Sequence, residues 1–231
     1  MGVLSRISKT PAALVLLSLC APFAPAALLY DNGVPDHVNG SGISNFRTVD
    51  DFTLTGPANL NAIRFWAVFN NNDPTGMFSG NLSWAIYTNA GGTVGSVFAS
   101  GSLTGLTMTD TGNGGGNFNA YQIDFSIGAP VALGAGVYWL ELHDGAVLTT
   151  ADGSETYWAT KGTGGNARTQ PFFGSFPTDL QPISSYFGCQ CDYDLAFQLF
   201  GDADTGVPEP ATSWLSGTAL AALLWRRLKL N

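Results

Sequence analysis

The stretch Leu60–Phe69 reads LNAIRFWAVF, and its side chains alternate in character along the chain. A period of two places every second side chain on the same face of an extended backbone, so this stretch predicts a β-strand. One predicted face carries Ile63, Phe65, Ala67 and Phe69, and the other carries Arg64, Trp66 and Val68.

The same alternation recurs along the chain between turns rich in Gly, Asn and Pro. No part of the predicted domain shows the period of three to four that is typical of an amphipathic helix. The sequence therefore predicts an all-β domain of about eight or nine strands, an antiparallel β-sandwich or jelly roll. The other predicted strands are Leu28–Tyr30, Phe46–Leu54, Leu82–Thr88, Val94–Leu103, Tyr121–Ser126, Val137–Leu142, Thr156–Thr160 and Leu195–Phe200.

Two connections between strands are unusual. Gly112–Asn117 is rich in glycine, but it lacks the lysine and the following helix of a phosphate cradle, so we expect a flexible connection. Gly162–Gly188 is long and irregular, and we expect either a binding loop or a cover for one sheet.

The N-terminus has the three parts of a secretory signal. Arg6 and Lys9 precede an apolar stretch over 12–19, and Ala24-Pro25-Ala26 supplies small residues at a cleavage site. We therefore predict a signal helix within residues 1–26 and cleavage after Ala26. A lipoprotein at Cys20 is disfavoured, because a small residue is needed where Leu19 stands.

The C-terminus also has three parts. Val207-Pro208-Glu209-Pro210 is extended, because each proline ring fixes its own φ and restricts the preceding residue. An uncharged apolar run follows over 211–225, and then a basic tail over 226–231 that begins with Arg226 and Arg227. The run predicts a short hydrophobic helix of roughly 22 Å, less than the hydrocarbon core of about 30 Å. Basic residues beyond it should stay in the cytoplasm.

These residues, 205–231, resemble the PEP-CTERM sorting signal of Gram-negative bacteria. The resemblance implies that an exosortase, a membrane peptidase, cuts near Pro208-Glu209-Pro210 and passes the protein to the outer surface. It implies membrane attachment through the C-terminal helix before sorting, then a place in the cell envelope or outside the cell. The alternative is an ordinary C-terminal anchor helix.

The intervening residues, 27–204, show a second resemblance, to the choice-of-anchor β-domains of bacterial surface proteins. It implies an architecture and a surface location, without a function. The residues that carry it are Asp51-Phe52-Thr53-Leu54, Trp84-Ala85-Ile86-Tyr87 with the following Gly91-Gly92 and Gly95, Gly136-Val137-Tyr138-Trp139-Leu140, Trp158 and Ala196-Phe197.

The predicted domain is acidic. It has four basic residues and sixteen acidic ones, which leaves a net charge of −12. Nucleic acid and anionic lipid headgroups would be repelled, so neither is an expected partner. The composition, rich in Gly, Asn, Thr, Ser and aromatic residues, is typical of extracellular β-proteins.

Several residues are candidates for binding. Trp66 and Trp158 are the aromatic side chains that we expect to be most exposed and able to stack on a sugar ring, although tryptophans at strand spacing are more often core. Asp50 and Asp51 offer oxygen ligands for a structural calcium ion. Asp202 and Asp204 resemble the start of a calcium loop, but a third ligand and a distal Glu are missing. No other cofactor is expected.

The two cysteines of the mature chain, Cys189 and Cys191, are one residue apart. We expect a local disulfide or a reduced pair, because no further Cys or nearby His completes a zinc site. His143 stands beside Asp144, but no Gly-x-Ser-x-Gly elbow occurs, so no catalytic residue is predicted.

The sequence supports three functions in decreasing order. The first is a non-enzymatic cell-surface or extracellular-matrix protein associated with exopolysaccharide. The second is a carbohydrate-binding module. The third is a secreted hydrolase that uses a pair of carboxylates. The candidate pairs are Asp50 and Asp51, Asp152 and Glu155, Asp192 and Asp194, and Asp202 and Asp204.

Overall fold

The computed structural model describes residues 26–151, 155–171, 180–187 and 192–203. The predicted signal helix, the two cysteines of the mature chain and the C-terminal hydrophobic helix lie outside these ranges. Within them, no helix has both the length and the apolar character that crossing a bilayer requires.

Nearly all of the regular secondary structure of the described residues is β-strand, which confirms the all-β prediction. A 3₁₀ turn spans Asn70–Asn72, and one short helix, α1, spans Ile183–Phe187. The strands are β1 (Ala27–Asp31), β2 (Gly40–Gly42), β3 (Phe46–Leu54), β4 (Ala58–Phe69), β5 (Leu82–Asn89), β6 (Val94–Leu103), β7 (Thr109–Asp110), β8 (Tyr121–Leu133), β9 (Gly136–Asp144), β10 (Thr156–Thr163), β11 (Arg168–Pro171), β12 (Gln181–Pro182), β13 (Tyr193–Leu195) and β14 (Phe197–Ala203).

The strands form two sheets, and every pairing is antiparallel. The first sheet has the order β1-β14-β4-β10-β13, with β8 on the other side of β4, β7 beside β8, and β2 beside β10. The second sheet has the order β12-β11-β3-β9-β5-β6. The predicted antiparallel sandwich is therefore confirmed.

The core lies between the sheets, where the alternating side chains of both meet. Ile63, Phe65, Ala67 and Phe69 of β4 all point into it, as their spacing predicts. They pack with Phe52 and Leu54 of β3, Ile86 of β5, Leu140 of β9 and Phe197 of β14. Burial of such side chains stabilises the fold by about 1.5–3 kcal/mol for each large apolar residue.

The glycine-rich segment is fastened to the domain rather than being a flexible connection. The backbone N–H groups of Asn117 and Phe118 both donate to the carbonyl of His37, at 2.8 and 3.1 Å. A Cβ atom on Gly114 or Gly116 would lie 2.6 Å from His37 atoms. Glycine is required here because the loop backbone packs directly against the His37 residue.

The long segment after Gly162 is less irregular than predicted. β11 pairs with β3 and so extends the second sheet, and β12 pairs with β11. The sequence did not reveal these strands, because β11 is four residues long and β12 only two. Their position brings Arg168 onto the outer face of the second sheet, opposite Val49 of β3.

Candidate binding site on the outer face of the second sheet

An ion pair lies on the outer face of the second sheet. Residues of β3 at odd positions point outward, and Arg47 is one of them. Its Nε and Nη2 donate to the two carboxylate oxygens of Glu141 at 3.1 and 2.9 Å. The Glu141 side chain is fully buried, whereas 26% of the Arg47 side chain is exposed. This two-pronged geometry is the strong form of an Arg–carboxylate contact.

Tyr87 completes the cluster. Its hydroxyl donates to Oε2 of Glu141 at 2.5 Å and accepts from Nη2 of Arg47 at 2.9 Å. Burial and then the charge of Glu141 raise the pKa of Tyr87. Burial alone would lower the pKa of Arg47, but the hydrogen bond and charge of Glu141 outweigh it and raise this pKa. The charges of Arg47 and Glu141 therefore compensate each other, and hydrogen bonds hold the three side chains in place. We call these three residues the Arg47 cluster.

A second arginine stands beside this cluster. Arg168 of β11 places its guanidinium carbon 5.5 Å from the centroid of the Trp139 ring, a cation–π contact. Its Nη2 donates to the Gly92 carbonyl at 3.4 Å. Its Nε is buried and has no hydrogen-bond partner among the described residues.

The two arginines line a cavity of about 650 Å³. That volume lies within the range of small-molecule sites. The described lining contains no Asp or Glu, although the predicted domain has sixteen acidic residues and only four basic ones. The lining residues are Arg47, Tyr87, Thr93, Val94, Gly95, Ser96, Val97, Arg168, Gln170, Leu180 and Gln181.

Sequence reasoning missed this site. Arg47 and Arg168 are far apart in the chain, and they become neighbours only because β11 pairs with β3 in the register Arg168↔Val49. One signal was available in the sequence: basic residues are scarce in this acidic domain, and Arg47 and Arg168 are two of only four.

The predicted sugar-stacking tryptophans are buried, so the expectation that they are exposed is wrong. Trp158 is 0% exposed, and its Nε1 donates to the carbonyl of Ala196 at 2.9 Å inside the core. Trp66 is 5% exposed, because Phe118 and Ala120 pack on the outer face of β4 beside it. Arg64 on the same face is partly exposed, but that face is not solvated along its whole length.

The two calcium candidates occupy different faces of β3. Asp50 is fully buried and points inward, and its oxygens accept from the backbone N–H groups of Leu195 and Asp51 at 2.7 and 3.0 Å. Asp51 lies on the partly exposed outer face. Within the described ranges, no three His, Cys, Asp or Glu side chains are grouped as metal ligands. A calcium ion at Asp50 or Asp51 stays a prediction.

The pair His143 and Asp144 has structural hydrogen bonds. A ring nitrogen of His143, Nε2, contacts the Thr150 carbonyl at 2.8 Å. Asp144 accepts from the hydroxyls of Thr156 and Ser79. These contacts hold the end of β9 to the neighbouring loop and to β10.

Comparison with known proteins identifies the tail. Residues 206–228 match the family model described as the PEP-CTERM protein-sorting motif. Searches of curated proteins and of solved structures found no match. The chain thus carries the sorting signal of an exported exosortase substrate. The residues of the signal, with Val207, Pro208, Glu209, Pro210, Arg226 and Arg227, lie outside the described ranges. The resemblance of 27–204 to choice-of-anchor domains stays a prediction.

Proposed function

We propose that this chain is a non-enzymatic protein of the cell envelope or extracellular matrix that associates with exopolysaccharide. Its C-terminal apolar segment holds it in the membrane until exosortase acts. The observation that carries the proposal is the sorting motif at 206–228, which directs the chain to the surface where such polymers are found.

The cavity beside the Arg47 cluster is the proposed glycan contact. Its lining combines guanidinium, amide and hydroxyl groups with the apolar side chains of Val94, Val97 and Leu180. A sugar ring has apolar C–H faces and polar hydroxyl edges, and sites for such ligands mix apolar surface with a few placed polar groups. Binding of glycan by the domain itself is the carbohydrate-binding function, the second of the three functions that the sequence supports.

The state of the carboxylates supports a role other than hydrolysis. A glycosidase needs two carboxyl groups roughly 5–10 Å apart across a cleft. The described cavity lining has none, and the nearest buried acid, Glu141, is held by Arg47 and Tyr87. We therefore assign the cavity to binding.

Mass spectrometry tests the sorting step. The intact protein is measured from the membrane and extracellular fractions of the native cells. We expect an extracellular form that begins near Ala27 and ends near Pro208. If the only form is in the inner membrane and still carries Arg226 to Asn231, the sorting proposal is wrong and a plain membrane anchor replaces it.

Binding to exopolysaccharide extracted from the same cells tests the cavity. The full-length chain is compared with Arg168→Gln, which removes the charge but leaves an amide. We expect about tenfold weaker binding, because a hydrogen bond to a charged group contributes roughly 1.5 kcal/mol. Arg64→Gln is the matched control, since Arg64 pairs with Asp124 on the other sheet. Equal effects of both substitutions would show that binding does not use the cavity.

A further inference from the structure

A second polar cluster lies at the inner side of β3. It joins three parts of the fold: Asn32, which directly follows β1, Asp50 of β3 and Lys161 of β10. Asn32 is 5% exposed and Asp50 is 0% exposed. We call these three residues the Asn32 cluster.

Every polar atom of the Asn32 side chain has partners. Its carbonyl oxygen, Oδ1, accepts from Nζ of Lys161 at 3.1 Å and from the hydroxyl of Tyr30 at 3.1 Å. Its amide nitrogen, Nδ2, donates to Oδ2 of Asp50 at 3.0 Å and to the Leu195 carbonyl at 2.8 Å. The Asn32 amide is thus in contact with an amine, a hydroxyl group, a carboxyl group and a backbone carbonyl. These belong to Lys161, Tyr30, Asp50 and Leu195.

The backbone of β10 directs Lys161 toward this amide. The ladder between β10 and β13 is irregular between Thr160 and Gly162, so Lys161 occupies a bulge, a feature that re-aims a side chain. Its aliphatic stem packs on Gly33, where an added Cβ would lie 3.2 Å from Cδ of the lysine. Nζ also lies 3.1 Å from Oδ2 of Asp194.

Asp50 is suited to carry a proton. Burial raises the pKa of Asp50 well above its ordinary value; the Leu195 N–H opposes this shift, and the charge of Asp194 adds to it. Burial, followed by the charge of Asp50, raises the pKa of Tyr30 to about 12. Asp50 can therefore act as an acid and Tyr30 remains a hydrogen-bond donor.

We propose that Lys161 and Asn32 form an intramolecular amide bond, an isopeptide cross-link, with Asp50 as proton carrier. The two residues are 129 positions apart in the chain, so the link would close a large loop. This inference is independent of the proposed glycan binding, because neither residue lines the cavity.

The reaction needs no external reagent. Nζ of Lys161 first gives one proton to the carboxylate of Asp194 and then attacks Cγ of Asn32. The carbonyl electrons move onto Oδ1, where the Tyr30 hydroxyl stabilises the negative charge.

Collapse of this intermediate releases the amine. Asp50 gives its proton to Nδ2 and takes one from Nζ, so it ends as it began. The Cγ–Nδ2 bond breaks as the carbonyl re-forms. The ammonia takes the proton held by Asp194 and leaves as ammonium. The products are a Lys161–Asn32 amide and one ammonium ion.

The test is the intact mass of the folded, full-length chain. A cross-linked chain should be about 17 Da lighter than its sequence mass, because one ammonia is lost from the covalent structure. The Lys161→Gln variant should have its full sequence mass. Fragmentation of a proteolytic digest should identify a branched peptide that joins the segments containing Asn32 and Lys161. A wild-type chain of full mass would overturn the proposal.

A second reaction loses the same mass and needs its own control. Asn32 precedes Gly33, and attack of the Gly33 backbone nitrogen on the Asn32 side chain would also release ammonia. A deficit that persists in Lys161→Gln would identify that ring closure and overturn the cross-link. Asn39→Ala, at another Asn-Gly pair, is the matched control and should keep the deficit.

The role of Asp50 has a separate readout. Asp50→Asn keeps the size of the side chain but removes the carboxyl proton, so the cross-linked fraction should fall at least tenfold after equal incubation. Tyr30→Phe should slow the reaction less, because it removes one donor to Oδ1. Full cross-linking in Asp50→Asn would overturn the assignment of Asp50 as proton carrier.

Discussion

A buried carboxylate lies at each face of β3: Glu141 of β9 at the outer face and Asp50 of β3 itself at the inner face. The two carboxylates have different partners. On the outer face, Arg47 contacts both oxygens of Glu141, and Tyr87 donates to the same carboxylate. On the inner face, Asp50 is equally buried, but the nearby cation, Lys161, contacts Asn32 and Asp194 instead.

The difference shows how charge compensation separates a structural group from a reactive one. Glu141 has a cation to balance it, and the pair holds β3, β9 and β5 in place. Asp50 accepts from N–H donors and contacts no cation among the described residues, so burial favours its protonated form. An acid whose protonated form is favoured by burial, placed beside an amide and an amine, is the arrangement on which the proposed cross-link depends.

The largest expected effect comes from removing the cation on the outer face. Arg47→Met leaves Glu141 buried and unpaired, and this should lower the free energy of unfolding by about 3 kcal/mol. Urea unfolding followed by tryptophan fluorescence measures it. A loss below 1 kcal/mol would show that the outer cluster is no better compensated than a surface pair.

Removing one hydroxyl from the same cluster sharpens the comparison. Tyr87→Phe deletes the donor to Glu141 but keeps the ring in its apolar surroundings. The expected loss is about 1.5–2 kcal/mol in the same urea experiment, because the bond is to a charged group. If the loss matches that of Arg47→Met, the tyrosine and not the arginine is the main partner of the carboxylate.

The inner face should respond to pH. The folded pKa of Asp50 lies above its ordinary value of 3.8. Its stabilising contribution is therefore complete below that value and is lost as the pH rises through the folded pKa. The slope cannot exceed about 1.4 kcal/mol per pH unit for one proton.

This is measured as the difference in unfolding free energy between Lys161→Gln and the double variant Lys161→Gln/Asp50→Asn, since neither can be cross-linked. The variant that retains Asp50 should lose stability with rising pH relative to the double variant. A difference that does not change with pH would mean that folding leaves the pKa of Asp50 unchanged.

The smallest effect is expected at the solvent-exposed ion pair. Arg64 and Asp124 have side chains that are 33% and 51% exposed. Arg64→Met should change the free energy of unfolding by about 0.5 kcal/mol, because water and salt screen such a pair. A loss near 3 kcal/mol would remove the distinction between buried and exposed pairs on which the comparison depends.

The sequence predicted the longer strands well, but it missed the short strands β2, β7, β11 and β12 and predicted the surfaces poorly. The period of two located β3 and β6 with their observed ends, because alternation is a local property of the chain. The same period placed Trp66 on the outer face of β4. Trp66 is nevertheless buried, because Phe118 and Ala120, some fifty residues later in the chain, pack on that face. Which strands become neighbours depends on the whole chain.

The candidate sites depend on such pairings. Arg47 meets Arg168 through the contact of β3 with β11, and Asn32 meets Lys161 across the first sheet. Asp50 was selected from the sequence as a metal ligand, since adjacent carboxylates suit calcium. Its full burial and its hydrogen bonds to Asn32 and Leu195 come from residues distant in the chain, so neither property can be obtained from the local sequence.

The position of β14 determines how the domain bears mechanical load. β14 ends at Ala203, shortly before the sorting motif begins at 206, and it lies between β1 and β4, antiparallel to both. A pull on the tail is directed along this strand, whereas its ladder hydrogen bonds run across it. The bonds on both sides are therefore sheared together instead of opening one by one. A domain held at the surface by this end resists extraction with the combined strength of two ladders.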